Sequence, residues 1–151
     1  MPLIYSVFLL LFMASSVFAN AQQQANRDYQ AINIDDAYTK MDLERIVDGD
    51  TFVASGHRIR LWGIDAPEKK DPLFKISANA LQYFLDAAEL ECKQIDVDKY
   101  QRLVMHCFTD KADLGSLMVK SGFAKDFKKY SGGFYDSEQS FAKSNQLGIW
   151  K

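Results

Sequence analysis

Two strand-like runs, each holding one of the two cysteines, constrain the fold of this 151-residue chain most strongly. Residues 90–97 and 103–108 are strand-like, and the polar residues 98–101 separate them. If the runs pair as a hairpin that turns between Lys99 and Tyr100, Cys92 lies directly opposite Cys107. Directly opposed Cβ atoms are close enough for a disulfide. The pattern therefore predicts a disulfide-linked hairpin, and closing a loop of this size contributes about 3 kcal/mol in the chain-entropy model.

The same cysteines allow a second interpretation, a zinc site completed by His57 and His106. The chain has no Cys-x-x-Cys spacing, which is typical of such sites. Two cysteines also fit an oxidising compartment. We therefore favour the disulfide between Cys92 and Cys107.

The first 21 residues carry no charged side chain and are typical of an export signal. Residues 3–12 are almost continuously apolar, and Ala19 and Ala21 form a small-x-small cleavage site. This order predicts a signal peptide, residues 1–21, cleaved before Gln22 to leave a periplasmic or secreted protein without membrane association. The alternative is a retained membrane anchor, because the apolar stretch reaches the short end of the range for a spanning helix. In either case the folded domain is exported.

The rest of the chain divides into a polar arm and one domain. Residues 22–42 are polar without clear periodicity, which indicates an N-terminal arm or linker. Residues 43–151 suit a single domain, and their small number favours a monomer. The net charge of -2 excludes a broadly basic surface. A nucleic-acid partner would therefore need locally concentrated positive charge or a bound cation.

The pattern of strands and helices indicates the fold class. Three strand-like runs, separated by an Asp-Gly turn and a Ser-Gly turn, precede an amphipathic helix over residues 76–90. Two more helices follow the cysteine hairpin: one capped by Asp113 and ending at Gly122, and one that starts near Asp136 or Ser137 and ends before Gly148. The order strand-strand-strand-helix-strand-strand-helix-helix predicts an α+β fold, a β-barrel of the five-stranded OB type with helices.

Four short segments carry a family resemblance. They are residues 48–51 (Asp-Gly-Asp-Thr), 60–68 (Arg-Leu-Trp-Gly-Ile-Asp-Ala-Pro-Glu), 98–102 (Asp-Lys-Tyr-Gln-Arg) and 148–150 (Gly-Ile-Trp). In this order the chain, from Leu43 to Trp150, resembles the staphylococcal nuclease (thermonuclease) family. The resemblance implies an OB-fold, calcium-dependent nuclease that hydrolyses phosphodiester bonds of DNA and RNA and leaves 3′-phosphorylated products.

Carboxylates in two of these segments suit a Ca²⁺ ion. Calcium binds hard oxygen ligands with flexible geometry, so carboxylates from separate loops can share one ion. Asp50 and Asp65 match the family's metal ligands, and the backbone carbonyl of Ala66 would be a third. Ala66 stands where the family commonly has threonine, so a side-chain hydroxyl is lost while the carbonyl remains. Asp48 is a weaker candidate, near water bound to the metal.

Three further residues match catalytic positions of the family. Glu68 corresponds to the candidate general base that orients or deprotonates the attacking water. Arg60 and Arg102 correspond to the two phosphate-binding arginines, whose planar guanidinium gives bidentate bonds and keeps its charge. Gln101 replaces the usual glycine before Arg102, which predicts a shifted loop and reduced activity.

The expected partner is DNA or RNA, preferably single-stranded. Lys99, Tyr100, Lys128 and Tyr130 are the candidate contacts, because basic residues beside aromatic rings suit phosphates and stacked bases. Lys128 lies where the family often has tyrosine. A plain solvated lysine face is the alternative.

Each motif alone also has an ordinary structural interpretation, such as a turn or a solvent-facing arginine. Their joint occurrence favours the nuclease. Two other functions remain as hypotheses: a catalytically weak or inactive OB module that binds single strands, and a secreted structural or inhibitory protein.

Overall fold

The computed structural model describes residues 38–86, 88–110 and 112–151. These belong to one compact unit that extends from Asp36 to Lys151. The predicted signal peptide, residues 1–21, and residues 22–37 of the predicted arm lie outside the described residues. The elements are, in chain order, β1 (Thr39–Met41), β2 (Leu43–Ile46), β3 (Thr51–Ala54), β4 (His57–Leu61), β5 (Ile64–Asp65), α1 (Phe74–Leu85), β6 (Leu90–Val97), β7 (Leu103–Thr109), β8 (Ala112–Asp113), α2 (Leu114–Lys120), β9 (Lys125–Asp126), α3 (Lys128–Ser131), α4 (Asp136–Ser144) and a 3-10 turn (Gly148–Trp150).

The main sheet curls so that the chain itself joins its two edges. Its strand order is β1-β6-β7-β4-β3-β2, with β8 added to β7, and every pair is antiparallel except β4 with β7. Only Asp42 separates β1 from β2, which are the strands at opposite ends of this order. Asp42 is held by two hydrogen bonds of 2.9 Å to Ser55, one through the Ser55 hydroxyl and one through its N–H. One bent segment therefore pairs with β6 through its first half and with β3 through its second.

The predicted α+β fold of the OB type is confirmed, but the strand count differs. Counted as one bent strand, β1 and β2 join β3, β4, β6 and β7 to give the five expected strands. Three two-residue strands, β5, β8 and β9, are added, and β5 pairs with β9 in a separate small sheet. Residues 39–41 of the predicted arm thus lie in the main sheet.

The cysteine hairpin forms the predicted cysteine pair, although its register next to the turn differs by one residue: Val97 lies opposite Leu103, and the register shifts between Gln94 and Asp96. Cys92 lies opposite Cys107 in the β6–β7 pair, and the two are joined by a disulfide buried in the barrel. The zinc alternative is therefore wrong, because both sulfur atoms are in the disulfide. His106 instead faces outward and hydrogen-bonds Tyr38 and Asp113, at 2.9 and 2.8 Å.

Strict alternation along the central strands separates the barrel core from its outer face. Leu103, Met105 and Cys107 point inward and are buried, whereas the even-numbered residues of β7 are only partly buried. The same parity on β4 buries Ile59 and Leu61. Arg60 therefore lies on the outer face, beside Val104 of the parallel strand β7.

The helices agree with the sequence in position more than in length. The first helix ends at Leu85 rather than at residue 90, because Leu90 already belongs to β6. Asp113 caps α2 as predicted, by accepting a hydrogen bond from the Ser116 N–H at 3.1 Å. The short helix α3 was not predicted. No helix in residues 38–86, 88–110 and 112–151 is long and apolar enough to cross a membrane.

Candidate active site

The Asp-Gly-Asp-Thr segment forms a tight turn that leads into β3. The N–H groups of Val47 and Asp48 both donate to the carbonyl of Thr51, at 2.9 and 3.1 Å. The N–H of Asp50 donates to Asp48 Oδ1 at 3.0 Å. Because an aspartate carboxylate can hydrogen-bond the backbone two residues on, this sequence stabilises its own turn. The turn directs the Asp50 side chain towards β4 and β5.

Close packing against α1 fixes the position of this turn. A Cβ atom added to Gly49 would lie 1.9 Å from Ser77 Oγ and 2.9 Å from the Cβ of Ala66. Ser77 is fully buried, and its hydroxyl donates to the carbonyl of Phe123 at 2.6 Å. The position therefore requires glycine for space rather than for an unusual backbone conformation.

Asp50 is the centre of the site. Only 7% of its side chain is exposed. One carboxylate oxygen accepts the Thr51 hydroxyl at 2.9 Å and pairs with Arg60 Nη1, and the other accepts the N–H of Ala66 at 3.0 Å. A buried carboxylate needs such partners, since an unpaired one would cost several kcal/mol. Asp50 thus joins the turn to β4 and to the residue that follows β5.

Arg60 connects the two acidic residues. Its Nη2 donates to the carbonyl of Ile64 at 3.1 Å and lies 3.8 Å from Asp65 Oδ1. Burial acts to lower the pKa of Arg60, but the carboxylates of Asp50 and Asp65 raise it overall. The guanidinium therefore remains charged while partly enclosed.

The acidic residues around Asp50 repel one another. The pKa of Asp48 is raised by burial and by the neighbouring charge of Asp50. The pKa of Asp65 is raised by the same two causes, although Arg60 and Lys125 act to lower it. Such a concentration of negative charge, only partly offset by one arginine, favours the binding of a further cation.

Arg102 reaches the same cluster from the β6–β7 hairpin. Its Nε donates to Asp98 Oδ2 at 2.7 Å, and its Nη1 donates to the Thr51 hydroxyl at 3.3 Å. Asp98 also accepts the N–H groups of Tyr100 and Arg102, at 2.9 and 3.0 Å. Burial acts to raise the pKa of Asp98, but these hydrogen bonds lower it overall. The hairpin turn thus holds Arg102 through a firmly ionised carboxylate.

Glu68 follows Asp65 by three residues, and in the described part of the chain no hydrogen bond or ion pair joins it to the cluster. It is exposed, and its carbonyl accepts the N–H of Asp71 at 2.7 Å. Its carboxylate makes no hydrogen bond or ion pair with another described residue. An exposed carboxylate of this kind is available to water.

Residues 58–151 match the family described as "Staphylococcal nuclease homologue". The chain belongs to this family. The matched range begins inside β4, so it includes both arginines but not Asp50.

The chain is similar to several other proteins of this kind. It is 36% identical to "Succinoglycan biosynthesis protein ExoI" of Rhizobium meliloti (strain 1021), over 70% of this chain and 62% of that protein. It is 30% identical to "Probable staphylococcal-like nuclease CAN3" of Oryza sativa subsp. japonica, over 89% of this chain and 36% of that one. An "Uncharacterized endonuclease" of Haemophilus influenzae is 30% identical, over 70% and 63%. The chain thus spans less than two thirds of the length of each of these relatives.

Two of the residues that the sequence suggests for nucleic-acid contacts lie beside Arg102 in this family member. Tyr100 is 67% exposed. Lys99 Nζ lies 4.9 Å from the centre of the Tyr100 ring, and Arg102 Cζ lies 5.5 Å from it. An exposed ring beside two cations is a surface on which a base can stack next to its phosphate.

The other two suggested contacts are on α3. Lys128 pairs with Asp136 at 2.5 Å, which offsets its charge. Tyr130 is 59% exposed and packs edge-to-face on Phe127, with ring centres 4.8 Å apart. The Phe127 N–H donates to the carbonyl of Gly63 at 2.8 Å, which attaches α3 to the loop between β4 and β5. Tyr130 therefore remains available, whereas Lys128 is already engaged.

The sequence does not place two residues, Thr51 and Lys125, next to the site. The Asp-Gly-Asp-Thr motif gives Thr51 no role, although its hydroxyl contacts both Asp50 and Arg102. Lys125 lies directly opposite Asp65 in the β5–β9 pair. The two-residue strands that bring Lys125 there have no periodicity from which a pairing could be predicted.

Gln101 has the backbone conformation that its motif position requires, with φ = 62°. A non-glycine residue in the left-handed region costs roughly 1 kcal/mol, which glycine avoids, while glycine loses about 0.5–1 kcal/mol of chain entropy. We expect Gln101→Gly to change the free energy of unfolding by less than about 1 kcal/mol. In contrast to the reduced activity that the sequence predicts for Gln101, we expect the activity of Gln101→Gly to stay within about threefold of wild type, because Asp98 and Thr51 already hold Arg102.

Urea unfolding and nuclease rates check this prediction, with Gln101→Ala as the control that keeps the strained backbone but removes the side chain. A tenfold rise in rate in the glycine variant alone would contradict it. That result would mean that the glutamine backbone holds Arg102 in the wrong place.

Proposed function

We propose that this protein is an exported, calcium-dependent nuclease that hydrolyses phosphodiester bonds of DNA and RNA. The observation that carries the proposal is the connected cluster of Asp50, Arg60, Asp65 and Arg102, two acids and two arginines from three separate segments. A buried charge network without a chemical task is costly to maintain, whereas a phosphodiesterase needs both signs of charge at one point. Membership of the staphylococcal nuclease homologue family and relatives named as nucleases support the same activity.

The two arginines bind the scissile phosphate. Each guanidinium has five N–H donors. Arg102 uses two of them, on Asp98 and Thr51, and Arg60 uses two, on Asp50 and the carbonyl of Ile64. Three donors therefore remain on each arginine for phosphate oxygens. As negative charge grows on those oxygens during attack, these hydrogen bonds strengthen and lower the barrier.

The donor set fits a calcium ion. No group of three or more His, Cys, Asp or Glu side chains with metal-binding geometry occurs among the described residues. The ligands that the resemblance implies, the Asp50 and Asp65 carboxylates and the Ala66 carbonyl, would with water make a hard oxygen set typical of calcium. Burial and the charge of Asp50 raise the pKa of Asp65. A divalent cation bound by these carboxylates would relieve the repulsion between them. When bound, the ion polarises the phosphate and offsets its charge.

Glu68 orients the attacking water and accepts its proton. The water oxygen forms a bond to phosphorus, the bond from phosphorus to the 5′-oxygen breaks, and the 5′-oxygen leaves with a proton from solvent. The product then carries a 3′-phosphate. General-base assistance of this kind contributes about 10²–10⁴ in rate.

Single strands are the preferred substrate. Exposed Tyr100 next to Arg102 suits an unstacked base whose phosphate is bound by the arginine. Tyr130 offers a second exposed ring. The protein acts as a monomer in an oxidising compartment outside the cytoplasm. The buried disulfide between Cys92 and Cys107 supports this export.

Release of acid-soluble nucleotides from denatured DNA and from RNA tests the proposal. The purified protein is assayed in calcium, in magnesium and with a chelator, beside Glu68→Gln and the control Glu89→Gln, which removes an exposed carboxylate outside the cluster. We expect cutting only in calcium, a loss of roughly a hundredfold in Glu68→Gln, and no change in Glu89→Gln. Cutting that persists in chelator would contradict the calcium requirement.

Absence of cutting with retained binding to single strands would favour the alternative, an inactive OB module. The exposed rings of Tyr100 and Tyr130 are the observation that keeps this second function open.

A further inference from the structure

Thr51 is fully buried at the start of β3, on the same face of the sheet as Arg60. The two residues are cross-strand neighbours in the β3–β4 pair. Phe52 and Ala54 of the same strand are buried on the other face of the sheet, within the barrel core. A threonine at such a position buries its hydroxyl as well as its methyl group, and a buried hydroxyl requires hydrogen-bond partners.

The partners of the Thr51 hydroxyl come from two different parts of the site. It donates its single proton to Asp50 Oδ1 at 2.9 Å, so it can only accept from Arg102 Nη1 at 3.3 Å. The other anchor of Arg102 is Asp98, which belongs to the same hairpin. Among the described residues, the Thr51 hydroxyl is therefore the side-chain group whose hydrogen bonds join the Arg102 guanidinium to Asp50.

We propose that Thr51 is a positioning residue, whose hydroxyl holds the Arg102 guanidinium against the Asp50–Arg60 pair so that both arginines reach the same phosphate. This inference rests on the proposed nuclease function. Thr51 does not contact the reacting atoms and acts through Arg102. Without the hydroxyl, Asp98 still holds the Nε side of Arg102 but leaves the Nη end unrestrained. Small misplacements of a charge-stabilising group lower the rate of the chemical step more than they weaken binding.

Two substitutions separate the hydroxyl from the space that Thr51 fills. Thr51→Val keeps the shape and loses the hydroxyl, whereas Thr51→Ser keeps the hydroxyl and loses a methyl group. We expect kcat to fall about tenfold to a hundredfold in Thr51→Val, as for loss of one hydrogen bond to a charged group, with KM within about threefold. In Thr51→Ser, kcat should stay within about threefold of wild type. Thermal melts establish that both variants are folded.

A double-mutant cycle identifies the route through which Thr51 acts. If the hydroxyl works mainly through Arg102, Thr51→Val should lower kcat by a much smaller factor in an Arg102→Ala background than in the wild type, and the remaining loss is that of the hydrogen bond to Asp50. A general structural defect would lower kcat by the same factor in both backgrounds. Binding of a fluorescein-labelled oligothymidylate in chelator gives a readout that does not depend on turnover, and it should change by less than about threefold in Thr51→Val.

The possible failures are distinguishable. A wild-type protein that cuts nothing would overturn the proposed function, and the role of Thr51 with it. A wild-type protein that cuts, with Thr51→Val equally fast or with the full loss repeated in the Arg102→Ala background, would overturn the positioning role alone.

Discussion

Asp50→Asn is expected to lose both catalysis and stability, whereas the same substitution at Asp65 is expected to lose catalysis alone. Asp50 is nearly buried and satisfies Arg60, Thr51 and the Ala66 N–H at once. An amide of the same shape removes the charge that Arg60 needs. Breaking a buried pair costs about 3–5 kcal/mol, and the lower end applies because Arg60 keeps the carbonyl of Ile64.

Asp65 is the matched control because it also forms an ion pair with Arg60 but is far more exposed than Asp50. Its side chain is 49% exposed, and it lies 3.8 Å from Arg60. Because the fold raises the pKa of Asp65, through burial and the charge of Asp50, its ionised form is disfavoured in the folded state. Removing that charge should leave the free energy of unfolding unchanged or slightly higher.

The measurement is urea unfolding at neutral pH in chelator, together with nucleotide release in calcium. Both variants should cut at least roughly a hundredfold more slowly, since each loses one proposed calcium ligand. Only Asp50→Asn should unfold at lower urea. Equal destabilisation by both substitutions would contradict the central place given to Asp50, and full activity in either would remove that residue from the ligand set.

The parts of the fold that the sequence predicts correctly depend on local patterns. Alternation along residues 90–97 and 103–108 indicates the two strands, and a turn between Lys99 and Tyr100 puts Cys92 opposite Cys107. The observed strands pair around Tyr100 near the turn, and a register shift between Gln94 and Asp96, which the sequence does not predict, restores this cysteine pair. The cap of α2 at Asp113 follows in the same way from a few adjacent residues. Local patterns could not predict β1, because a three-residue edge strand is stabilised by its pairing with β6 rather than by its own sequence.

In the site, too, local motifs predict only part of what the structure shows. The motifs indicate which residue types are present, and the structure brings Asp50, Arg60, Asp65 and Arg102 into one cluster. The particular hydrogen bonds depend on the register of β3 with β4 and of β4 with β7, which are contacts between distant segments. For that reason the bridging role of Thr51 is visible only in three dimensions.

The same distinction applies to Gly49, which the sequence presents as an ordinary turn glycine. We expect Gly49→Ala to reduce cutting at least roughly a hundredfold and to lower the free energy of unfolding by about 1–3 kcal/mol, as overpacking does. The added Cβ would meet Ser77 Oγ at 1.9 Å and Ala66 Cβ at 2.9 Å, so the turn that holds Asp50 must move. Ser77 cannot yield freely, because its hydroxyl is bonded to the carbonyl of Phe123.

Ser77→Gly in the Gly49→Ala background is the matched rescue, because it removes both Ser77 atoms that the new Cβ would meet. Part of the activity should return even though a glycine within α1 costs about 1 kcal/mol of stability. Gly56→Ala is the control: a Cβ there meets nothing within 4 Å, so it tests backbone strain in a turn without crowding. If Gly49→Ala cut at the wild-type rate, or if Gly56→Ala lost as much activity, the position of Asp50 would not depend on the contact between this turn and α1.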